Sequence, residues 1–126
     1  MSKPETSGKK KILIVDDEQA ILKFLIIKFK LSGYDVMTAS NGGEALKHLA
    51  EWNPDILLLD ILMPGTDGFA VLQSLRDHSL LPVLAFSAKR ENEKKAMELG
   101  ANDFIFKPFD LDDMLERVTK LLGNDQ

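Results

Sequence analysis

Residues 56–65 read ILLLDILMPG, and this segment gives the first indication of the fold. Its four leading apolar residues, Ile56 to Leu59, show no polar alternation, which is typical of a strand buried on both faces of a parallel sheet. Asp60 follows directly, and Pro64 with Gly65 then interrupts regular structure. The segment therefore predicts a carboxylate at the carboxyl edge of a buried sheet, where open α/β sheets bind their ligands.

On both sides of this segment, apolar runs alternate with helical patterns. The predicted strands are Ile12–Val15, Asp35–Ala39, Ile56–Leu59, Val83–Phe86 and Phe104–Phe106. The predicted helices are Gln19–Leu31, Gly43–Glu51, Gly68–Arg76, Glu91–Leu99 and Leu111–Leu122. Because strands that alternate with helices form right-handed crossovers, we expect an α/β fold, (βα)5, with a doubly wound five-stranded parallel sheet in a three-layer sandwich.

Composition narrows the class of protein. The chain has 126 residues, the length of one domain, and a net charge of −4, which argues against direct nucleic-acid binding. The chain has no cysteine, which excludes disulfides and cysteine-based zinc sites and fits a reducing compartment, so we expect a cytoplasmic protein. No apolar run reaches membrane-spanning length, so membrane insertion is not expected.

The polar, basic start of the chain lacks the apolar segment of a secretory signal. We predict a disordered leader at residues 1–9, one domain at residues 10–123 and a short tail at residues 124–126.

Polar side chains end four of the predicted strands. Asp16 and Asp17 follow the first strand, Asp60 the third, Ser87 the fourth and Lys107 the fifth. The carboxyl ends of parallel strands lie at one edge of a sheet, so we expect these side chains to converge.

Converging carboxylates repel one another, so a cation must compensate them. Lys107 supplies one positive charge, and a hard divalent ion with oxygen ligands suits the remainder; Mg²⁺ fits best, with Mn²⁺ as an alternative ion. A carboxylate flanked by a metal and an ammonium is arranged to attack a phosphoryl group in line and become an acyl phosphate.

Four motifs, in order and at the right strand ends, resemble the receiver domain of the bacterial two-component response-regulator family. They are VDDE at residues 15–18, LDILMPGTDG at 59–68, FSA at 86–88 and FKPF at 106–109. The resemblance covers about Lys10 to Leu122, and it implies a flavodoxin-like sheet with strand order 2-1-3-4-5.

The resemblance also implies a phosphoacceptor and a metal site. Asp60 would accept the phosphoryl group and share the metal. Asp17 would bind Mg²⁺ directly, and Asp16 would bind it directly or through water. The backbone carbonyl of Leu62 would complete the protein ligands.

Further residues would respond to the phosphoryl group. Lys107 would pair with its oxygens, with the Lys107–Pro108 peptide in cis. Ser87 would be the switch hydroxyl, and Phe104 the aromatic whose rotamer follows it. The family often has Thr and Tyr at these two positions. Because Ser87 lacks a β-branch and Phe104 lacks a hydroxyl, we hypothesise looser coupling to the output face.

The lifetime of the phosphoryl group is the subject of a second hypothesis. In the family, the side chains two residues past the phosphoacceptor and two past the switch hydroxyl tune dephosphorylation. Here they are Leu62 and Lys89. Neither can accept a proton from an attacking water, so we predict slow hydrolysis.

The implied function is a phosphorylation-dependent switch rather than an enzyme with a separate substrate. A sensor histidine kinase or phosphotransfer protein would donate the phosphoryl group, and the face of the fourth helix, fifth strand and fifth helix would signal to an output domain or protein. The chain would catalyse only its own phosphoryl transfer and slow autodephosphorylation. The sequence leaves open the cognate kinase, the output, a phosphorylation-dependent dimer, and whether the chain is a stand-alone regulator or part of a larger one.

Two other classes use related folds or chemistry. A phosphatase of the haloacid-dehalogenase type needs Asp-x-Asp after the first strand and usually a cap insertion, whereas Asp16 and Asp17 are adjacent. A flavodoxin-like binding module needs a Thr/Ser/Gly-rich loop at the same position.

The first helix has a second apolar stripe formed by Phe24, Ile27 and Leu31. The stripe is either the margin of a wide core face or a docking surface for the kinase. Near the site, we interpret Asp67 as the N-cap of the third helix and Glu18 as a first-turn charge rather than a metal ligand.

Overall fold

The predicted architecture is confirmed in a computed structural model, which describes residues 8–65 and 67–123. Five parallel strands form one sheet in the order β2-β1-β3-β4-β5. The elements are β1 Lys11–Val15, α1 Gln19–Leu31, β2 Asp35–Ala39, α2 Gly42–Trp52, β3 Ile56–Asp60, α3 Gly68–Arg76, β4 Val83–Ser87, α4 Asn92–Glu98, β5 Asp103–Phe106 and α5 Leu111–Leu121.

The bounds of α1, β2 and α3 agree with the prediction, and the other elements differ by one residue at one or both ends. Two of these differences concern the polar strand ends, because β3 includes Asp60 and β4 includes Ser87 as their last residues. Helix α4 is one residue shorter at each end than predicted.

The sheet separates two apolar clusters, one on each face. Side chains of α1 and α5 pack on one face, with Leu25, Phe29 and Met114 fully buried. Side chains of α2, α3 and α4 pack on the other face, where Val71 and Leu72 are fully buried. Every residue of β3 is buried, as the uninterrupted apolar run predicts.

The second stripe of α1 does not belong to the core. Phe24, Ile27 and Leu31 are 66%, 59% and 84% exposed, whereas Leu22, Leu25 and Phe29 form the buried face. The wide-core interpretation is therefore wrong, and the exposed stripe remains a candidate docking surface.

Most of the predicted leader, residues 1–7, and the predicted tail, residues 124–126, lie outside the described residues. In the part of the chain that the structure describes, none of the helices has both the length and the apolar character needed to cross a membrane.

Candidate phosphorylation site

Backbone hydrogen bonds hold the polar strand ends together at the carboxyl edge of the sheet. The Asp16 N–H donates to the Ala39 carbonyl at 3.1 Å, and the Lys107 N–H donates to the Ser87 carbonyl at 2.9 Å. Asp60 lies opposite Phe86 in the β3–β4 register. The sheet therefore brings the predicted strand ends together, those of Asp16, Asp60, Ser87 and Lys107.

The ammonium of Lys107 lies among three carboxylates. Its Nζ is 3.0 Å from Asp16 Oδ2, 3.1 Å from Glu18 Oε1 and 3.2 Å from Asp60 Oδ2. Asp16 and Asp60 are 0% and 2% exposed, whereas the Glu18 side chain is 59% exposed. The ammonium thus binds two buried carboxylates and one that reaches in from solvent.

Sequence reasoning missed the contact of Glu18. Glu18 occupies the N-cap position of α1 but makes no side-chain cap hydrogen bond there. Its carboxylate instead pairs with Lys107, which is 89 residues away in the chain. A local pattern such as an acid before a helix has no means of indicating a partner at that distance.

The electrostatics of the site are dominated by excess negative charge. Burial and, to a smaller extent, the neighbouring Asp16 raise the pKa of Asp60 to about 7, against the opposing effects of Lys107 and the Leu62 N–H. Burial alone would lower the pKa of Lys107, but its contacts with the Asp16 and Glu18 carboxylates and the charges of Asp60 and Asp16 raise it. One ammonium therefore does not neutralise the cluster.

The remaining negative charge suits a divalent cation. Three carboxylate oxygens lie within 4.8 Å of one another, one each from Asp16, Asp17 and Asp60. Asp16 Oδ1 accepts a hydrogen bond from the Glu18 N–H at 2.8 Å. The other oxygen of this carboxylate, Oδ2, is buried and forms an ion pair with Lys107, but it has no hydrogen-bond partner among the described residues. A buried oxygen with free acceptor capacity beside two further carboxylates fits a hard ion with oxygen ligands.

The loop after β3 orients the Asp60 carboxylate. The Leu62 N–H donates to Asp60 Oδ1 at 3.1 Å, so each carboxylate oxygen has one fixed donor, the other being Lys107. The Leu62 side chain is 43% exposed beside the site.

Gly68 lies against the end of β3, a close approach that sequence reasoning missed. A Cβ at this position would be 2.6 Å from the Asp60 carbonyl oxygen and 2.7 Å from Ile61 Cα. The Asp67 side chain caps the same helix end by accepting from the Ala70 N–H at 2.8 Å, as predicted. The start of α3 can therefore approach β3 closely, which fixes the backbone that carries Asp60.

The predicted switch residues are both buried. Ser87 is 1% exposed, and its Oγ accepts from the Lys89 N–H at 3.1 Å and from Asn92 Nδ2 at 3.0 Å. Phe104 is 4% exposed, with its ring edge-to-face against Phe106 at 5.3 Å. The Lys107–Pro108 peptide is cis, as predicted.

An apolar groove of about 490 Å³ opens beside Lys107, between α1 and the segment that leads into α5. It is lined by Ile21, Phe24, Leu25, Ala88, Lys107, Pro108, Phe109 and Leu111. Because Phe24 belongs to both, the exposed stripe of α1 continues into this groove.

Several known sequences are similar to this chain. A family model described as response regulator receiver domain matches residues 12–119. The alkaline phosphatase synthesis transcriptional regulatory protein PhoP of Bacillus subtilis is 44% identical over 120 residues, 93% of this chain and 50% of PhoP. The transcriptional regulatory protein KdpE of Mycobacterium tuberculosis is 40% identical over 85% of this chain and 48% of its own. The chain thus spans about half the length of these relatives.

Solved structures with the same fold cover nearly the whole chain. The receiver domain of the Francisella response regulator 1452 is 33% identical, with a TM-score of 0.86 over 94% of this chain and 100% of that one. A response regulator from Chloroflexus aurantiacus described as putative is 32% identical, with a TM-score of 0.86 over 91% of this chain and 98% of that one.

Proposed function

Because the chain belongs to the family of response regulator receiver domains, we propose that it is a switch that is turned on by phosphorylation of Asp60. The observation that carries the proposal is the position of the Lys107 ammonium between two buried carboxylates, Asp16 and Asp60, at the carboxyl edge of the sheet. Such a site combines a nucleophile with a fixed cation where a phosphoryl group would bind.

The proposed reaction transfers one phosphoryl group from a phosphohistidine to Asp60. A carboxylate oxygen of Asp60 forms an O–P bond as the P–N bond breaks, and the imidazole nitrogen keeps the electron pair and takes up a proton. Lys107 holds a phosphoryl oxygen, and the Leu62 N–H keeps the Asp60 carboxylate in its orientation. The histidine must come from the partner, because neither His48 nor His78 belongs to the acidic cluster.

Asp16, Asp17 and Asp60, together with the backbone carbonyl of Leu62, are the residues that would hold Mg²⁺. When bound, this ion supplies positive charge to the phosphoryl oxygens during transfer. The free acceptor capacity of Asp16 Oδ2 supports the assignment.

Phosphorylation adds a charge of about −1.5 to −2 to a buried site. We propose that this charge attracts the hydroxyl of Ser87, that Phe104 responds, and that the face of α4, β5 and α5 changes as a result. Strand β5 and helix α5 are already linked by Arg117, whose Nη1 is 3.0 Å from Asp103 Oδ1 and whose Nε is 3.2 Å from Asp113 Oδ1.

The partners follow from the same assignment. A sensor histidine kinase or a phosphotransfer protein in the cytoplasm would donate the phosphoryl group and contact the exposed stripe of α1. The relatives PhoP and KdpE are named transcriptional regulators, and this chain spans half of each. We propose that the output is an effector domain of that kind, while this domain itself does not bind nucleic acid.

Incubation with Mg²⁺ and acetyl phosphate, followed by intact mass measurement, tests the proposal. The wild-type chain should gain one phosphoryl group, and Asp60→Asn should gain none. Asp77→Asn, which makes the same chemical change at an exposed aspartate, should behave as wild type. Equal labelling of wild type and Asp60→Asn, or continued turnover of a generic phosphomonoester, would contradict the proposed function.

A further inference from the structure

The hydroxyl of Ser87 is held from the side of α4. A serine oxygen has two acceptor lone pairs and one donated proton. Both lone pairs are engaged, one by the Lys89 N–H at 3.1 Å and one by the Asn92 amide at 3.0 Å. Any rotation that carries this oxygen away from α4 must therefore break the contact with Asn92.

Serine does not restrain its own rotamer as threonine does. A β-branch limits the first side-chain torsion, and Ser87 has none. In a buried serine, the preferred rotamer must then be set by neighbouring groups, and Asn92 is the one side chain among the described residues that hydrogen-bonds to Ser87 Oγ.

Helix α4 has few other attachments. It has seven residues, of which only Ala96 is buried, and its N-cap residue Glu91 makes no cap hydrogen bond. Lys95 lies over the Phe69 ring at 4.5 Å. Across the described part of the chain, the contact from Asn92 is the only hydrogen bond made by a side chain of α4.

We propose that Asn92 is a positioning residue that holds Ser87 in its unphosphorylated rotamer and thereby ties the first turn of α4 to the phosphorylation site. This inference rests on the proposed function, because it gives Ser87 its role as the switch hydroxyl. When Ser87 turns toward a phosphoryl group, it releases Asn92, and α4 loses its polar link to the sheet. The same bond must be broken by every ligand that draws Ser87 inward, so it lowers the affinity for such ligands.

Beryllium fluoride, a non-covalent mimic of the phosphoryl group, provides the measurement. It is titrated by calorimetry at saturating Mg²⁺ into wild type, Asn92→Ala, Ser87→Ala and the double variant. A hydrogen bond has a net effect equivalent to a fold-change of about two to ten, so Asn92→Ala should bind the mimic tighter by about that factor. In the Ser87→Ala background the same substitution should change the affinity by less than about twofold.

Lys94→Ala serves as the matched control, because Lys94 is an exposed residue of the same helix that makes no hydrogen bond to Ser87. This variant should bind the mimic as wild type does. In Asn92→Ser the new side chain is too short to reach Ser87, so this variant should bind the mimic as tightly as Asn92→Ala does. Agreement between the two variants guards against a folding defect in either one. Unchanged or weaker binding in both Asn92 variants, or an equal gain in the Ser87→Ala background, overturns the inference. Wild type that neither binds the mimic nor gains a phosphoryl group overturns the proposed function instead.

Discussion

Replacing the carboxylate of Asp60 with an amide should stabilise the metal-free domain, and more so as the pH rises. The pKa of Asp60 is raised from 3.8 to about 7 in the folded protein by burial and by Asp16. Its folded-state pKa therefore exceeds its unfolded value, so the folded protein binds the proton more tightly. Stability from this group is fully present below the unfolded pKa and is lost as the pH rises through about 7.

The size of this stability change follows from the difference between the folded and unfolded pKa values of Asp60. Each pKa unit corresponds to about 1.4 kcal/mol, so ionisation of Asp60 costs the folded state at most about 4 kcal/mol at pH above 7. Between about pH 5 and about pH 8, wild type should lose about 2 to 3 kcal/mol of this stability. Asp60→Asn cannot ionise and should not lose it.

Urea unfolding in EDTA at several pH values measures this difference. The gap in the free energy of unfolding between Asp60→Asn and wild type should widen from about pH 5 to about pH 8 by the amount given above. Asp77→Asn, at an exposed position, controls for the loss of a negative charge. A gap that is constant with pH would refute the reasoning, because it would mean that the folded protein tolerates the Asp60 charge as well as water does.

Three further variants, one of them a double substitution, test other features of the domain. Gly68→Ala should lower the free energy of unfolding by about 1–3 kcal/mol, because the added Cβ would overlap backbone atoms at the end of β3. Gly43→Ala is the control, since its Cβ would meet only one atom at 3.4 Å, and it should not lower this free energy. Equal urea midpoints for the two variants would contradict this prediction. Leu62→Asn combined with Lys89→Glu should shorten the phosphoryl half-life several-fold by mass measurement, and an unchanged half-life would remove the lifetime hypothesis. Phe24→Asp should slow transfer from a phosphorylated phosphotransfer protein by about fivefold or more, but not from acetyl phosphate, and an equal rate from both would exclude the stripe as a docking surface.

The sequence was sufficient for the architecture and for the part of the site that lies on strand ends. Uninterrupted apolar runs identify buried parallel strands, and the end of each run places its polar residue at one edge. That reasoning places Asp16, Asp60 and Lys107 together before any coordinates are known, and the structure puts both carboxylates within 3.2 Å of the ammonium. Helix bounds were predictable where a cap is local, as at Asp67.

The contacts that sequence reasoning missed join residues from different elements. Glu18 binds Lys107 across 89 positions, and Asn92 donates to Ser87 across the gap between a helix and a strand. Gly68 is required by the distance between α3 and β3, which depends on how the whole layer packs. Periodicity also identified the second apolar stripe of α1, but it did not indicate whether the core covers that stripe. The exposure of Phe24, Ile27 and Leu31 became evident only in the folded structure.

The separation of α1 and α4 by the sheet has a consequence for how such a switch can be rewired. Effects of substitutions at distant sites without shared partners usually add within about 0.5 kcal/mol. The side chains of α1 and α4 pack into different apolar clusters on opposite faces. Donor recognition at the proposed docking stripe, Phe24, Ile27 and Leu31, should therefore be adjustable independently of the sensitivity that we propose for Asn92. A new kinase could then be matched to an unchanged response, and a new response threshold to an unchanged kinase.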